Sequence, residues 1–293
     1  MGREIELKIP LSKEEFVKIF KTICGIGSDR EKSNLSFCTS KVQPSTISAI
    51  PDNGALSFSK PELLFKSDQY FSQYKSHQER LEKEPRVIRI RTESPVPLAP
   101  ESPLNSTLSD TPNTPLKNSS DSPNKLSIES PLTIENYQDI LSFIQTKKEN
   151  IKKSNTSAFF TIKSKKIENG MEFNEEKETK IDAPDVLRAF FAGTNFDCWF
   201  NKEKIALSTM YKVNASSMPC PSDSPTLDAN AGTLDFHIEL EIVNGLPYIE
   251  IENTQENFAP EEIRTQLENL VLNLGLDPSK KDTRSWVLII NGE

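Results

Sequence analysis

Charge repeating every second residue constrains this chain more than any other feature. Its opening segment, EIELKIP (residues 4–10), alternates charged and apolar side chains strictly. That is the period of a β-strand, whose successive residues point to opposite faces. Glu4, Glu6 and Lys8 share one face, and Ile5, Leu7 and Ile9 the other. The same spacing recurs in Arg89/Arg91, Lys163/Lys165, Glu176/Glu178, Lys202/Lys204, Glu239/Glu241 and Glu250/Glu252. One such pair is an ordinary solvated strand face. A pair on nearly every candidate strand, each backed by Ile, Leu, Val, Phe or Tyr, predicts that the charged faces look inward.

The architecture that satisfies this pattern is α+β: a closed antiparallel β-barrel of about eight strands. It encloses a charged tunnel and is covered outside by amphipathic helices. Like charges buried together are costly without partners. A polyanion against the Lys/Arg wall and divalent cations against the Glu wall would supply those partners, since Mg²⁺ and Mn²⁺ prefer carboxylate oxygens.

The covering helices are legible. Ser12 and Glu15 form a capping-box pattern ahead of Phe16, Ile19, Phe20 and Ile23. TIENYQDILSFIQTKK carries Ile134, Tyr137, Ile140, Leu141 and Ile144 on one helical face. DAPDVLRAFF has Pro184 near a helix start, and APEEIRTQLENLVLNLGL runs from Pro260 to Gly275. Hairpins are expected around Asn169-Gly170 and, less regularly, around Asn244-Gly245, where Pro247 follows. A short strand is expected near Leu35–Lys41.

The 293 residues suffice for one large or two ordinary domains, but only 35% are hydrophobic and 20 are proline. The stretch from residue 93 to 132 concentrates Pro, Ser and Asn, and reads as a low-complexity disordered insertion. The expected organisation is therefore a single domain over 1–293 interrupted by that insertion. A net charge of −8 and a pI near 5.1 argue against nucleic acid or anionic membrane as partners. Two histidines, His77 and His237, give poor support for a zinc site or a His-based triad. Cys24, Cys38, Cys198 and Cys220 form no CxxC pair and read as free thiols. With no leader or membrane-length apolar stretch, a soluble, cytoplasmic protein is expected.

The ordered motifs resemble those of the CYTH domain, the triphosphate tunnel metalloenzymes. Glu4, Glu6 and Lys8 match its E-x-E-x-K strand, Asp68, Tyr70 and Phe71 its D-x-Y-F strand, and Arg89 and Arg91 its R-I-R strand. Thr161 and Lys163 match T-x-K, Glu250 and Glu252 match E-x-E, and LGL…SWVLII resembles the terminal segment. Departures are Ser72 where the family often has Asp, Lys202 and Lys204 where Lys-x-Arg is usual, and Glu241 where Asp is commoner.

The resemblance implies Mg²⁺ or Mn²⁺ held by Glu4, Glu6, Glu250 and Glu252, with Glu241 a further ligand. Arg89, Arg91, Lys163, Lys165, Lys202 and Lys204 would bind phosphate. Lys8, Glu4 and Glu6 would be the catalytic set, Lys8 orienting water or touching a phosphate. Glu176 and Glu178 could instead pair with the bases. The implied activity is metal-dependent hydrolysis of inorganic triphosphate, a nucleoside triphosphate or thiamine triphosphate. A class IV-type adenylyl cyclase and a non-catalytic polyphosphate-binding protein are the alternatives. The partner expected is a triphosphate-containing small molecule. A homodimer is allowed, and the insertion could bind an unidentified protein.

Overall fold

A computed structural model of the chain describes residues 2–26, 58–84, 86–96, 98, 134–149, 151, 156–214 and 233–292. Eight strands close into one antiparallel barrel: β1 (Gly2–Pro10), β2 (Glu62–Ser72), β3 (Arg86–Val96), β4 (Ser157–Glu168), β5 (Met171–Ile181), β6 (Asp197–Asn214), β7 (Thr233–Val243) and β8 (Leu246–Asn253). Their order around the barrel is β1-β5-β4-β3-β2-β6-β7-β8, so β8 pairs back onto β1.

The apolar strand faces point outward. Ile5, Leu7 and Ile9, together with Phe236, Ile238, Leu240, Ile249 and Ile251, are buried beneath three helices. These are α1 (Lys13–Cys24), α3 (Tyr137–Glu149) and α5 (Pro260–Asn273), which contribute Phe16, Phe20, Ile140, Ile144, Ile263 and Leu267. Burying one such side chain fully is worth about 1.5–3 kcal/mol. The outer shell, not the barrel interior, is therefore the hydrophobic core. A smaller cluster of Phe71, Ile90 and Phe191 seats α4 (Pro184–Gly193). Two short helices, α2 (His77–Lys83) and α6 (Trp286–Asn291), lie at one end of the barrel.

Local chemistry forms these elements as the sequence predicts. Glu15 N donates to Ser12 Oγ at 3.1 Å and Ser12 N to Glu15 Oε2 at 2.7 Å, completing the capping box. Asn169 and Gly170, at φ 51° and 76°, make the two-residue turn between β4 and β5. The expected irregularity at Asn244-Gly245 is corrected. These residues (φ 47° and 89°) also form a two-residue turn, and Pro247 sits within β8, paired with Ile242. The expected insertion boundary is corrected as well. β3 continues to Val96, because Leu63, Leu64, Phe65 and Lys66 of β2 pair with Val96, Pro95, Ser94 and Glu93. The remainder of the expected insertion, Leu98 apart, and the strand expected at Leu35–Lys41 lie outside the described residues. Cys24 and Cys198 are free thiols, and Cys38 and Cys220 lie outside the description. Among the described residues no helix is long and apolar enough to cross a membrane.

Candidate functional site

The inward faces line a cavity of about 750 Å³. The barrel order sorts their charge into two arcs. Strands β7, β8, β1 and β5 lie side by side and carry most of the carboxylates, while β4, β3, β2 and β6 carry most of the cations.

In the basic arc, Asp68 is the hub. Fully buried on β2, it accepts from Arg91 Nε at 2.7 Å and Nη2 at 3.0 Å, and pairs with Lys202 Nζ at 3.1 Å and Arg89 Nη1 at 3.8 Å. Burial alone would raise its pKa, but Arg91, Lys202 and Arg89 hold it well below the usual carboxylate range. One carboxylate thus ties three cations together. Arg89 also donates to Thr161 Oγ1 at 3.2 Å and pairs with Glu178 and Glu176 at 3.4 and 3.5 Å, while its buried Nε has no hydrogen-bond partner. The expected pairing of Glu176 and Glu178 with bases is therefore what the fold contains.

In the acidic arc, two groups of three carboxylates converge: Glu4, Glu6 and Glu252, and Glu239, Glu241 and Glu250. Within each group the oxygens lie within 4.8 Å of one another, close enough to hold a metal ion. Lys163 reaches Glu4 at 2.8 Å and Glu6 at 3.0 Å. Lys204 reaches Glu239, Glu241 and Glu250 at 2.6, 2.7 and 3.0 Å. Lys66 also pairs with Glu239, so each trio has more carboxylates than ammoniums: three to one around Lys163 and three to two around Lys204 and Lys66. Burial, opposed by Lys163 and aided by Glu252, pushes Glu4 up to about 7, and burial with Glu250 and Glu239 beside it pushes Glu241 up to about 7 against Lys204. Glu6 is raised well above its ordinary value by burial and by Glu250, Glu172 and Glu4, against the pull of Lys163. Despite burial, Lys204 and Lys66 hold Glu239 low, and Lys204 with a hydrogen bond from Glu6 holds Glu250 low.

The donor set fits a hard divalent cation. It consists entirely of oxygen ligands, and neither oxygen of fully buried Glu241 accepts a hydrogen bond of good geometry, although Oε2 lies beside Lys204 Nζ. Glu250 and Glu252, two residues apart on β8, separate into different trios.

The remaining expected residues divide by position. Lys8 pairs with Glu172 at 3.1 Å, donates to Arg284 O at 2.9 Å and lies 5.0 Å from the Trp286 ring centroid. Lys165 joins the same Glu172 and donates to Thr283 O at 3.2 Å. Both stand beneath the C-terminal segment that closes this end of the barrel. Ser72, at the position where Asp would match the motif, accepts from Tyr74 N at 3.0 Å and donates to Glu84, so it shapes the turn after β2.

Sequence reasoning put Glu239 on an inward strand face and Asp68 in a motif without giving either a role in the site, and it did not place Lys66, Glu172 or His237 there. Lys66 and Asp68 continue the alternation of β2, and Glu239 stands two residues before Glu241, so strand period carried a signal for them. His237 stands two residues before Glu239 on β7 and shares that signal. It hydrogen-bonds Glu252 through Nδ1 and Ser208 Oγ through Nε2, both at 2.7 Å. Burial lowers its pKa, but Glu252 and Glu239 more than offset this, and the net direction is upward.

No protein-family model matches the chain, and no curated protein matches it. Solved structures do. The PH1819 protein from Pyrococcus horikoshii OT3 is similar over 99% of both chains, with TM-score 0.50 at 15% identity. A Vibrio parahaemolyticus protein proposed to be an adenylate cyclase is similar over 99% of this chain and 98% of its own, with TM-score 0.47 at 12% identity. The PH1012 protein from Pyrococcus horikoshii OT3 gives 0.46 at 14% over 97% of each chain. At 15% identity the likeness to PH1819 concerns the fold alone.

Proposed function

We propose that this is a CYTH-type tunnel enzyme, a single domain over 1–293, that hydrolyses a triphosphate compound with Mg²⁺ or Mn²⁺. The observation that carries the reading is the sorting of charge around one cavity: three cations gathered on Asp68 in one arc and two carboxylate trios in the other. A polyanion with bound divalent cations neutralises both at once.

Arg89, Arg91 and Lys202 hold the phosphates, the arginines through planar forks matched to phosphate oxygens. Glu4, Glu6 and Glu252, with Glu239, Glu241 and Glu250, hold the metal. A divalent ion bound there would neutralise phosphate charge and lower the pKa of a bound water. Lys163 and Lys204, already among the carboxylates, swing to phosphate oxygens or remain as counter-ions. Lys8, fixed by Glu172 and the Arg284 carbonyl, presents its charge to the closed end of the tunnel. In the reaction a water oxygen bonds to the terminal phosphorus while the bridging P–O bond breaks, releasing orthophosphate and the diphosphate. Positioning and charge neutralisation supply the rate, and no side-chain nucleophile is needed.

A second reading is cyclisation of ATP to cyclic AMP and pyrophosphate. The cavity volume favours keeping it, since about 750 Å³ accommodates a nucleoside as well as its phosphates. The test is ³¹P NMR of products after incubation with inorganic triphosphate or ATP and either metal. Orthophosphate is expected, with a drop of at least about a hundredfold for Glu6→Ala at unchanged fold. Pyrophosphate with cyclic AMP would establish the cyclase. Binding without turnover would leave a polyphosphate receptor, and full activity of Glu6→Ala would contradict the site.

A further inference from the structure

From Lys202 backwards, strict alternation on β6 would send Phe200 inward and Trp199 out. Trp199 nevertheless lines the cavity. The register explains it. Tyr70 pairs with Phe200 and Phe71 with Cys198, so Trp199 is an extra residue without a partner on β2. This is a β-bulge, a device that re-aims one side chain and ends a strand's alternation.

The re-aimed indole meets a prepared surface. The Arg80 guanidinium of α2 stacks on it at 4.1 Å and is held there by the carbonyls of Tyr74 and Lys75 at 2.7 and 3.0 Å. Arg80 Nε is buried with no hydrogen-bond partner. Tyr70 meets Trp199 edge-on at 6.4 Å, and its own ring lies 5.9 Å from Lys202 Nζ. Tyr70, Trp199 and Arg80 all line the cavity. An aromatic and guanidinium surface is thus continuous with the basic arc, displaced from Asp68 toward the closed end of the barrel. Anion binding alone has no use for it, because a bare polyphosphate offers no flat or apolar face. A heteroaromatic ring does, stacking on indole and guanidinium alike.

We propose that the cavity takes a triphosphate ester bearing a flat heteroaromatic ring, with the ring on the Trp199–Arg80 surface and the phosphates on the Asp68-anchored cations. This rests on the triphosphate reading above and narrows its substrate class: ring-bearing esters are preferred over inorganic triphosphate.

The test is equilibrium binding in chelator without metal, which needs no turnover. Inorganic triphosphate, ATP, GTP, CTP and thiamine triphosphate are titrated against wild type, Trp199→Ala, Trp199→Phe and Arg80→Met, with folding checked by circular dichroism. For wild type, at least one ring-bearing ester is expected to bind more tightly than inorganic triphosphate. Trp199→Ala should reduce that preference by about tenfold, the scale of one ring-stacking contact. Trp199→Phe should retain most of it, and Arg80→Met should lower it in the same direction. Which ester leads identifies a purine, pyrimidine or thiamine ring. Should Trp199→Ala not fold, the Phe and Met variants carry the comparison. Equal affinity for inorganic and ring-bearing ligands, or a preference unmoved by all variants, overturns the ring surface while leaving the phosphate site standing. If no triphosphate of any kind binds to wild type, the triphosphate reading itself falls, and this inference with it.

Discussion

The two halves of the tunnel wall handle buried charge in opposite ways. In the basic arc, one ionised carboxylate is shared among Arg89, Arg91 and Lys202, and its proton affinity is driven down. In the acidic arc, each trio of carboxylates outnumbers its ammonium partners, Lys163 for one and Lys204 with Lys66 for the other, and Glu4, Glu6 and Glu241 are driven toward the protonated form. Asp68 is a structural keystone whose loss takes the carboxylate partner from Arg91 and Lys202. The carboxylates of the other arc hold protons that a metal ion can replace. An interior built only for stability would match charges one to one, or omit them, since buried ion pairs rarely outperform apolar packing. Here the mismatch is arranged in two blocks of opposite sign facing each other, which suits a bound anion–cation pair.

The sharpest break between the arcs comes from substitutions that remove charge and keep shape. Asp68→Asn should cost about 3–5 kcal/mol of unfolding free energy, because it takes the anion from buried Arg91 and Lys202 and leaves Arg89 only Glu176 and Glu178. Denaturant titration would show this as a lower midpoint at similar slope. A loss under 1 kcal/mol would mean that the cations are solvated and that Asp68 is no hub.

The next effect is on metal uptake. Glu4 and Glu241, pushed up to about 7, hold their protons below that pH and must release them as a cation enters. Mn²⁺ affinity should therefore rise with pH up to about 7, by up to about tenfold per unit for each proton displaced, and level off above. Electron paramagnetic resonance of free Mn²⁺ against pH would measure it. An affinity independent of pH between 5 and 7 would contradict the acidic-arc account.

The smallest effect is the stability of Glu241→Gln. An amide replaces a carboxyl that already favours its neutral form, so the metal-free protein should change by less than about 1 kcal/mol while losing metal affinity. A large destabilisation would make Glu241 an Asp68-like anchor.

Much of this was legible in the chain because strand period is a short-range property. Glu4, Glu6 and Lys8 fix which face of β1 turns inward, and the other pairs repeat the choice. What escaped depended on neighbours brought together by barrel closure. Lys202 and Lys204 stand two residues apart on one face, yet β6 is the border strand. Lys202 reaches back to Asp68 on β2, while Lys204 reaches forward to Glu239 and Glu241 on β7 and Glu250 on β8. Nothing local separates their roles. Asp68 likewise shows no sign in sequence of collecting three cations, since two come from β3 and one from β6. Alternation alone would turn Trp199 outward; the bulge that brings it to the cavity is one extra residue, visible only against the register of β2.

The most direct test is calorimetric titration of inorganic triphosphate into the protein with and without Mn²⁺, paired with the reciprocal titration. The account predicts that each ligand tightens the other by the same factor, because each neutralises the arc facing the other. Independent binding of the two, or triphosphate binding abolished by Mn²⁺, would contradict a tunnel built for an anion and a cation together.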